Sequence, residues 1–392
     1  MCRGGMSPSA WPCWQALRRC SSRLRPVFTA WPFSCTASAP TSVKSSDGRS
    51  VPIPGPSDPF LNLHPMNNLR RVAVIDCGTN TFNLRIVDVG SAAGWIPVFG
   101  QRVPVKLGQG GVAKGIITAD RMARGLDALA SMKEAIRNYR VEEVHVMATS
   151  AMRGAKNGQD FVAQTKELTG FDIQVISGQH EARLIQEGIA LNFPEGVQET
   201  CLTMDIGGGS VEFIVWNAEG IQWAQSFDTG VARLHMLMNL GDPIGAEGVA
   251  KMQPYFDDVM APLSAAMDAL KPRHLVGASG SFDTIADLMG TRTRRERPDH
   301  AQTPEAHPVT DAVPLEAWSD VFTQLTTQDA HHRAAMPGMD PARVDLMPYS
   351  AALIQWVLGH GCIQKMCRAP YALREGVLSR IERGLPLLPS LG

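Results

Sequence analysis

The amino-acid sequence predicts an α/β protein built from two related halves. Three observations carry this. From residue 71 onward, apolar runs with strand character alternate with segments of helical period, the order that builds layered α/β domains. A unit of strand, aspartate, glycine-containing turn and strand, VIDCGTNTFNLRIV (74–87), recurs without a gap as TMDIGGGSVEFIVW (203–216). Asp76 then matches Asp205, Gly78 matches Gly207 and Thr81 matches Ser210, a spacing that indicates duplicated domains and not a short solenoid repeat. The length, 392 residues, accommodates two such domains.

The first 65 residues differ in character from the rest. Up to Lys44 there is no acidic residue, while Arg3, Arg18, Arg19, Arg23, Arg25 and Lys44 are basic and Ser, Pro, Trp and Cys are frequent. Such a composition suits a targeting segment, but its apolar part, PVFTAWPFSC, is short and broken by prolines. An irregular leader, disordered or non-native, is expected, with the natural chain beginning at Met66. The expected organisation is a first domain over 66–191, a second over 192–385 and a tail over 386–392.

Within that frame RVAVIDCGTNTFNLRIVDV (71–89) is a strand, a turn at Gly78, Thr79 and Asn80, and a second strand. Met122, Leu126, Leu129, Met132 and Ile136 recur at spacings of three and four and predict a helix over about 119–139. A strand is expected over 141–150, a helix over 153–170 ended by Gly170, a strand over 171–178 and a helix over 179–192. After the second copy of the repeat, HLVGASGSFDTIADL (274–288) reads as a strand, a turn containing Gly277, Ser279, Gly280 and Ser281, and a helix whose N-terminus offers N–H groups to an anion.

Composition excludes several function classes. Hydrophobic residues are 44% and charged residues 19%, with a net charge of −1, so no overall field favours nucleic acid or an anionic membrane. No apolar run reaches the roughly 18 residues of a membrane helix. Four cysteines (Cys2, Cys13, Cys20, Cys35) fall in the leader and four (Cys77, Cys201, Cys362, Cys367) are scattered beyond it. No zinc-type or disulfide-framework spacing appears, and a cytoplasmic setting is expected.

The turns point to phosphate. Backbone stripped of side chains at Gly78, Thr79, Asn80 and Thr81, and at Gly207, Gly208, Gly209 and Ser210, lets N–H groups converge on phosphate oxygens. Neither turn is a Walker loop or a GxGxxG motif. An aspartate precedes each one and would repel the anion unless a cation lay between them, which indicates Mg²⁺ near Asp76 and Asp205. Ser210 and Glu212 share a strand face, which brings Glu212 to the same place. Hydrolysis of a phosphoanhydride needs a base for water and cations for the phosphate. Glu181, opening a helix, is the candidate base, or else an acid placed there by the helix dipole. Arg153 is the candidate phosphate contact, or else a surface ion pair. Over 290–314 the chain is polar and irregular. There Arg292, Arg294, Arg295 and Arg297 either attract a polyanion or simply line a solvated loop, and His331 and His332 read as surface residues.

From about 71 to 383 the chain resembles the exopolyphosphatase and guanosine pentaphosphate phosphohydrolase (Ppx/GppA) family. The matching stretches are VIDCGTNTFNL, ATSAMRGAKNGQDF, VISGQHEARLI, MDIGGGSVEF, SFDTGVARL, VGASGSFDTIADL and YALREGVLSRIE, in the family's order. The resemblance implies two ribonuclease-H-like domains of the actin-like/Hsp70-like ATPase superfold, with the active site in the cleft between them. It implies Mg²⁺-dependent release of terminal phosphate from inorganic polyphosphate or from the 5′ end of pppGpp, and it allows a homodimer. It assigns water activation to Glu181, phosphate binding to Arg153 and to both loops, with Asp76 in the first, and a hold on the metal and the water to Asp205 and Glu212; the metal place of Asp76 rests on its facing Asp205. Where the family usually has two adjacent glutamates, His180 precedes Glu181. The chain also stops soon after its last motif, as in short two-domain members. A kinase or ATPase of the same superfold and a non-catalytic phosphate-chain sensor are the competing readings.

Overall fold

The computed structural model describes residues 42–44, 50–52, 69–91, 94–111, 114–292 and 310–390. In the leader, β1 (Ser42–Lys44) and β2 (Ser50–Pro52) pair antiparallel. The remainder of the expected leader lies outside the described residues.

In the body of the chain, β3 (Arg70–Cys77), β4 (Thr81–Ser91), β5 (Gly94–Pro104), β6 (Glu143–Ala148) and β7 (Ile173–Val175) form one mixed sheet in the order β5-β4-β3-β6-β7. β3 is central, antiparallel to β4 and parallel to β6. Val72 to Ile75 are all buried, as expected of a strand covered on both faces. The second sheet repeats the plan. β8 (Cys201–Ile206), β9 (Val211–Asn217), β10 (Gly220–Phe227), β11 (His274–Ala278), β12 (Asp311–Ala312) and β13 (Lys365–Arg368) lie in the order β10-β9-β8-β11-β13-β12. Apart from the edge pair made by β12, strand order and direction match the first sheet. This is the ribonuclease-H-like order, and its tandem repetition is the actin-like/Hsp70-like ATPase architecture that the sequence predicts.

Helices fill the outer faces. α1 (Ala119–Asn138), α2 (Ser150–Gly154) and α3 (Gly158–Thr169) cover the first sheet through Phe82, Leu129, Met132, Met152 and Phe161. The second sheet is covered by α5 (Val231–Met238), α6 (Gly245–Val259), α7 (Ala261–Leu270), α8 (Ser279–Leu288), α9 (Leu315–Thr327) and α11 (Met347–Leu358), with the short α10 (Ala330–Ala334) preceding α11. Between the sheets lie α4 (Gly178–Ala190) and α12 (Leu373–Glu382). Their apolar faces join Val72, Val74 and Val87 of the first sheet to Ile214, Trp216 and Val276 of the second in one core.

α4 and α12 cross at van der Waals limits. A Cβ on Gly188 would lie 1.9 Å from the Ala372 carbonyl oxygen, and one on Gly376 would lie 1.9 Å from that of Leu184. Asn192 fastens the crossing: its amide donates to Gly188 O and Tyr371 O, and its Oδ1 accepts from Tyr371 N. The last helix of the chain is thereby seated against β3, β4 and β5 of the first sheet.

Three local expectations need correction. The helix expected over 153–170 is two helices, because the Asn157 carboxamide bonds Ile117 N and Ile117 O at 2.8 Å each. The strand expected over 171–178 shortens to β7, since Ser177 accepts the His180 N–H and caps α4. The turn expected within 274–288 is almost absent: β11 runs into α8 through Ser279, whose φ is 65°.

The crossing predicts a stability effect. Gly188→Ala or Gly376→Ala should each cost about 3 kcal/mol by forcing backbone apart, read as a lower midpoint in urea unfolding. An unchanged midpoint would mean that α4 and α12 separate freely.

Candidate active site

Asp76 is the penultimate residue of β3 and Asp205 of β8, so the two halves place the same residue at the same point. In the ladders Asp76 stands opposite Asn83, and Asp205 opposite Glu212. Each following turn closes on an equivalent bond, Gly78 N to Thr81 O at 3.2 Å and Gly207 N to Ser210 O at 3.0 Å. The carbonyls of Gly207, Gly208 and Gly209 accept from Val231, Ala232 and Gly230 N–H groups. The second turn thus rests on the start of α5.

The two turns touch. A Cβ on Gly208 would lie 2.5–2.8 Å from the Asn80 carboxamide, and one on Gly209 would lie 2.6 Å from both Thr79 Oγ1 and Ser150 Oγ. The sequence predicts glycines bare for a phosphate; in the structure Asn80 and Thr79 of the opposite loop, with Ser150 of α2, fill that space. Ser150 Oγ is buried here without a hydrogen-bond partner, a polar atom aimed at the seam. Gly280, also expected to face phosphate, lies under the Arg343 guanidinium, which would be 1.6 Å from its Cβ.

Four carboxylates converge on the seam. Glu181 lies in the first turn of α4 and is 6% exposed. Arg153, on α2, donates through Nη1 to Glu181 Oε2 at 2.8 Å and to Ile176 O at 3.0 Å. This is the ion-pair reading of Arg153 weighed from sequence, but it is made to the candidate base. Glu212 Oε1 accepts from Ser226 Oγ at 2.7 Å. Burial pushes Asp205 up to about 6, with the Ser279 hydroxyl opposing. Asp76 also rises to about 6 by burial, with Arg374 opposing and Asp205 adding to the rise. Burial raises Glu181 to about 7 against the pull of Arg153, and Asp205 and Asp76 push it further. Glu212 is raised well above the ordinary range by burial and then by Glu181 and Asp205.

Such crowding of acids in a buried seam calls for a cation. All four offer hard oxygen donors, which suit Mg²⁺. Among the described residues no three His, Cys, Asp or Glu side chains are placed to hold a metal ion by themselves. Mg²⁺ commonly takes one or two carboxylates and completes its shell with water and substrate phosphate, so this donor set fits it.

Sequence reasoning missed several groups. Ser226 holds Glu212, and Gly178 must be bare because a Cβ there would meet Ser226 Cβ at 2.5 Å. A cavity of about 90 Å³ opens beside the first turn, lined among others by Asn80, Thr81, Arg102, Lys106, His235 and Arg343. Arg102, Lys106 and Arg343 lie outside both copies of the repeat, so the internal match could not find them. Of the arginines over 290–314, Arg292 pairs with Asp287 at 2.8 Å, while Arg294, Arg295 and Arg297 lie outside the described residues. His332 pairs with Asp329 beside exposed His331, as surface residues do. Cys77, Cys201, Cys362 and Cys367 are free thiols. Among the described residues no helix is long and apolar enough to cross a membrane.

The chain is similar to known proteins over most of its length. The profile of the Ppx/GppA phosphatase family matches residues 86–384. Exopolyphosphatase 2 of Mycobacterium tuberculosis is 29% identical over 295 residues, 73% of this chain and 89% of that protein. Exopolyphosphatase 1 of the same organism is 26% identical over 315 residues, 79% of this chain and 88% of that protein. The crystal structure of an exopolyphosphatase from Cytophaga hutchinsonii superposes with a TM-score of 0.74 at 33% identity, covering 82% of this chain and all of that one. The Aquifex aeolicus Ppx/GppA member shares the fold, with a TM-score of 0.64 at 20% identity over 81% of this chain and 99% of that one.

The raised carboxylates predict an inverted pH dependence of stability. A carboxyl whose folded pKa exceeds its unfolded one stabilises the fold while protonated, and that contribution is lost as pH rises through the folded value. Without divalent metal, stability should fall from about pH 4, where the unfolded carboxyls ionise, to about pH 7, where Asp76 and Asp205 have ionised in the fold, by on the order of 3 kcal/mol for each of the two, read as a falling Tm. Mg²⁺ at pH 8 should restore part of it. A Tm that rises with pH in EDTA would show the acids to be paired internally.

Proposed function

The chain belongs to the Ppx/GppA phosphatase family, and on that premise we propose that it is a Mg²⁺-dependent exopolyphosphatase that removes the terminal phosphate of inorganic polyphosphate. The supporting observation is Glu181, buried in the seam between two facing aspartate–glycine turns and held by Arg153 at 2.8 Å.

In this reading the turns part to admit the chain end, and N–H groups of 79–81 and 208–210 receive its oxygens. The freed Ser150 hydroxyl, now unpartnered, gains a phosphate oxygen. Arg153 spans Glu181 and the phosphate, so base and substrate are held by one rigid fork. Water attacks the terminal phosphorus in line with the bridging oxygen, and that P–O bond breaks. Glu181 takes the proton from the water. Asp76, Asp205 and Glu212 would hold Mg²⁺, directly or through water. Bound there, it supplies charge neutralisation between these acids and the phosphates. Ser226 keeps Glu212 turned toward that place.

Inorganic polyphosphate is favoured as substrate by the names of the similar enzymes. The cavity beside the first turn, which carries Arg102, Lys106 and Arg343, suits the charge of a phosphate chain. The 5′ phosphate of pppGpp would meet the same turns and the same base.

Phosphate release from long-chain polyphosphate, tripolyphosphate and pppGpp, compared with Mg²⁺ and with EDTA, tests the substrate. Release should be greatest from polyphosphate and absent in EDTA. Release confined to pppGpp would overturn the assignment. Glu181→Gln should lower kcat by roughly 10²–10⁴-fold with its circular dichroism unchanged, and full activity in that variant would remove Glu181 from its role. Activity should climb as pH rises through the value near 7 at which burial places Glu181, because only the carboxylate accepts a proton.

A further inference from the structure

One carboxylate bridges the two walls of the cleft. Asp340, between α10 and α11, shares a single oxygen between two guanidiniums. Its Oδ2 lies 3.0 Å from Arg102 Nη2 on β5 of the first sheet and 3.3 Å from Arg343 Nε in the second half. Its Oδ1 accepts from Ala342 N at 2.9 Å. Arg343 Nε is buried and ion-paired to that oxygen, but it makes no hydrogen bond of good geometry. Arg102 and Arg343 both line the cavity that begins at Asn80 and Thr81. Lys106 joins them, presented by a left-handed backbone (φ 52°) and by its N–H bond to Asn80 O at 2.8 Å. Three cations from both walls therefore surround a cavity that starts at the first phosphate turn, and an acid behind them neutralises part of their charge.

Resting on the phosphohydrolase reading above, we propose that Asp340 is a resident competitor of the substrate. It ties Arg102 to Arg343 across the cleft mouth and is displaced when the phosphates behind the scissile one enter between Arg102, Lys106 and Arg343. A phosphate offers each guanidinium an oxygen of its own, where Asp340 offers them one in common. The Arg102–Asp340 pair is partly exposed, 39% and 23%, so solvent screens it and it opens readily. The ligand chemistry is a chain of linked phosphates, inorganic or carried by a nucleoside.

The test is equilibrium binding in EDTA, at low ionic strength, of inorganic tripolyphosphate and of GTP. The proteins compared are the full chain, Asp340→Asn, Arg102→Gln and the double variant. Asp340→Asn should tighten tripolyphosphate binding about 2- to 5-fold, Arg102→Gln should weaken it, and the gain from Asp340→Asn should shrink when Arg102 is absent. Tightening with both ligands assigns the subsite to linked phosphates in general. Tightening with tripolyphosphate alone assigns it to the inorganic chain. Unchanged or weaker binding by a folded Asp340→Asn overturns the inference and makes Asp340 a brace for the arginines. If that variant fails to fold, Asp340→Ser carries the same readout. Should the wild type release phosphate from polyphosphate while the Asp340 variants bind no tighter, only this inference fails. If the wild type neither binds tripolyphosphate nor releases phosphate, both readings fail.

Discussion

Two helices meet backbone to backbone between the sheets, and the site depends on that contact. Gly188 on α4 and Gly376 on α12 leave no room for a Cβ, so the helix axes lie as close as main chain allows. α4 carries Glu181 at its first turn. α12 carries Arg374, which opposes the rise of Asp76, and Glu375, which adds to it. The spacing of these helices therefore sets how near Glu181 lies to the first aspartate. The surrounding core joins both sheets through the same two helices, so the position of Glu181 is coupled to the packing of the whole molecule.

The second constraint is electrostatic. Burial raises Asp76, Glu181, Asp205 and Glu212 together, and most of them raise one another. Arg153 is the one arginine hydrogen-bonded to any of these four among the described residues. Structures tolerate such an arrangement when function requires it, because a cation or a proton relieves the repulsion on demand. The closed turns belong to the same economy of space. Asn80, Thr79 and Ser150 fill the positions above Gly208 and Gly209, and admitting a phosphate means opening the seam that buries the acids.

Charge is also arranged along the cleft. The acids lie at the seam, while Arg102, Lys106 and Arg343 lie beside the first turn. This order suits an anion whose terminal group is neutralised by metal and whose following groups meet arginine and lysine. Asp283 links the two zones. It adds to the rise of Asp205 and is itself held low by Arg368, Arg292 and Arg343.

The duplicated architecture is legible in the amino-acid sequence alone. Asp76 and Asp205 are penultimate in equivalent strands, and the gapless match of 74–87 with 203–216 needed only the two-residue period and the turn glycines, both local properties. Glu181 and Arg153 were legible as types at helix starts, and the whole motif set was legible as a family resemblance. What those glycines face emerges only on folding, because a neighbour far along the chain leaves no local trace. Gly208 answers to Asn80, Gly280 to Arg343 and Gly376 to Leu184. Arg102 and Asp340 meet across 238 residues of sequence, with no turn signature or repeat to announce them. Local chemistry writes strands, turns and caps into the chain. Contacts between opposite walls of a cleft exist only once two separately formed sheets have been brought together.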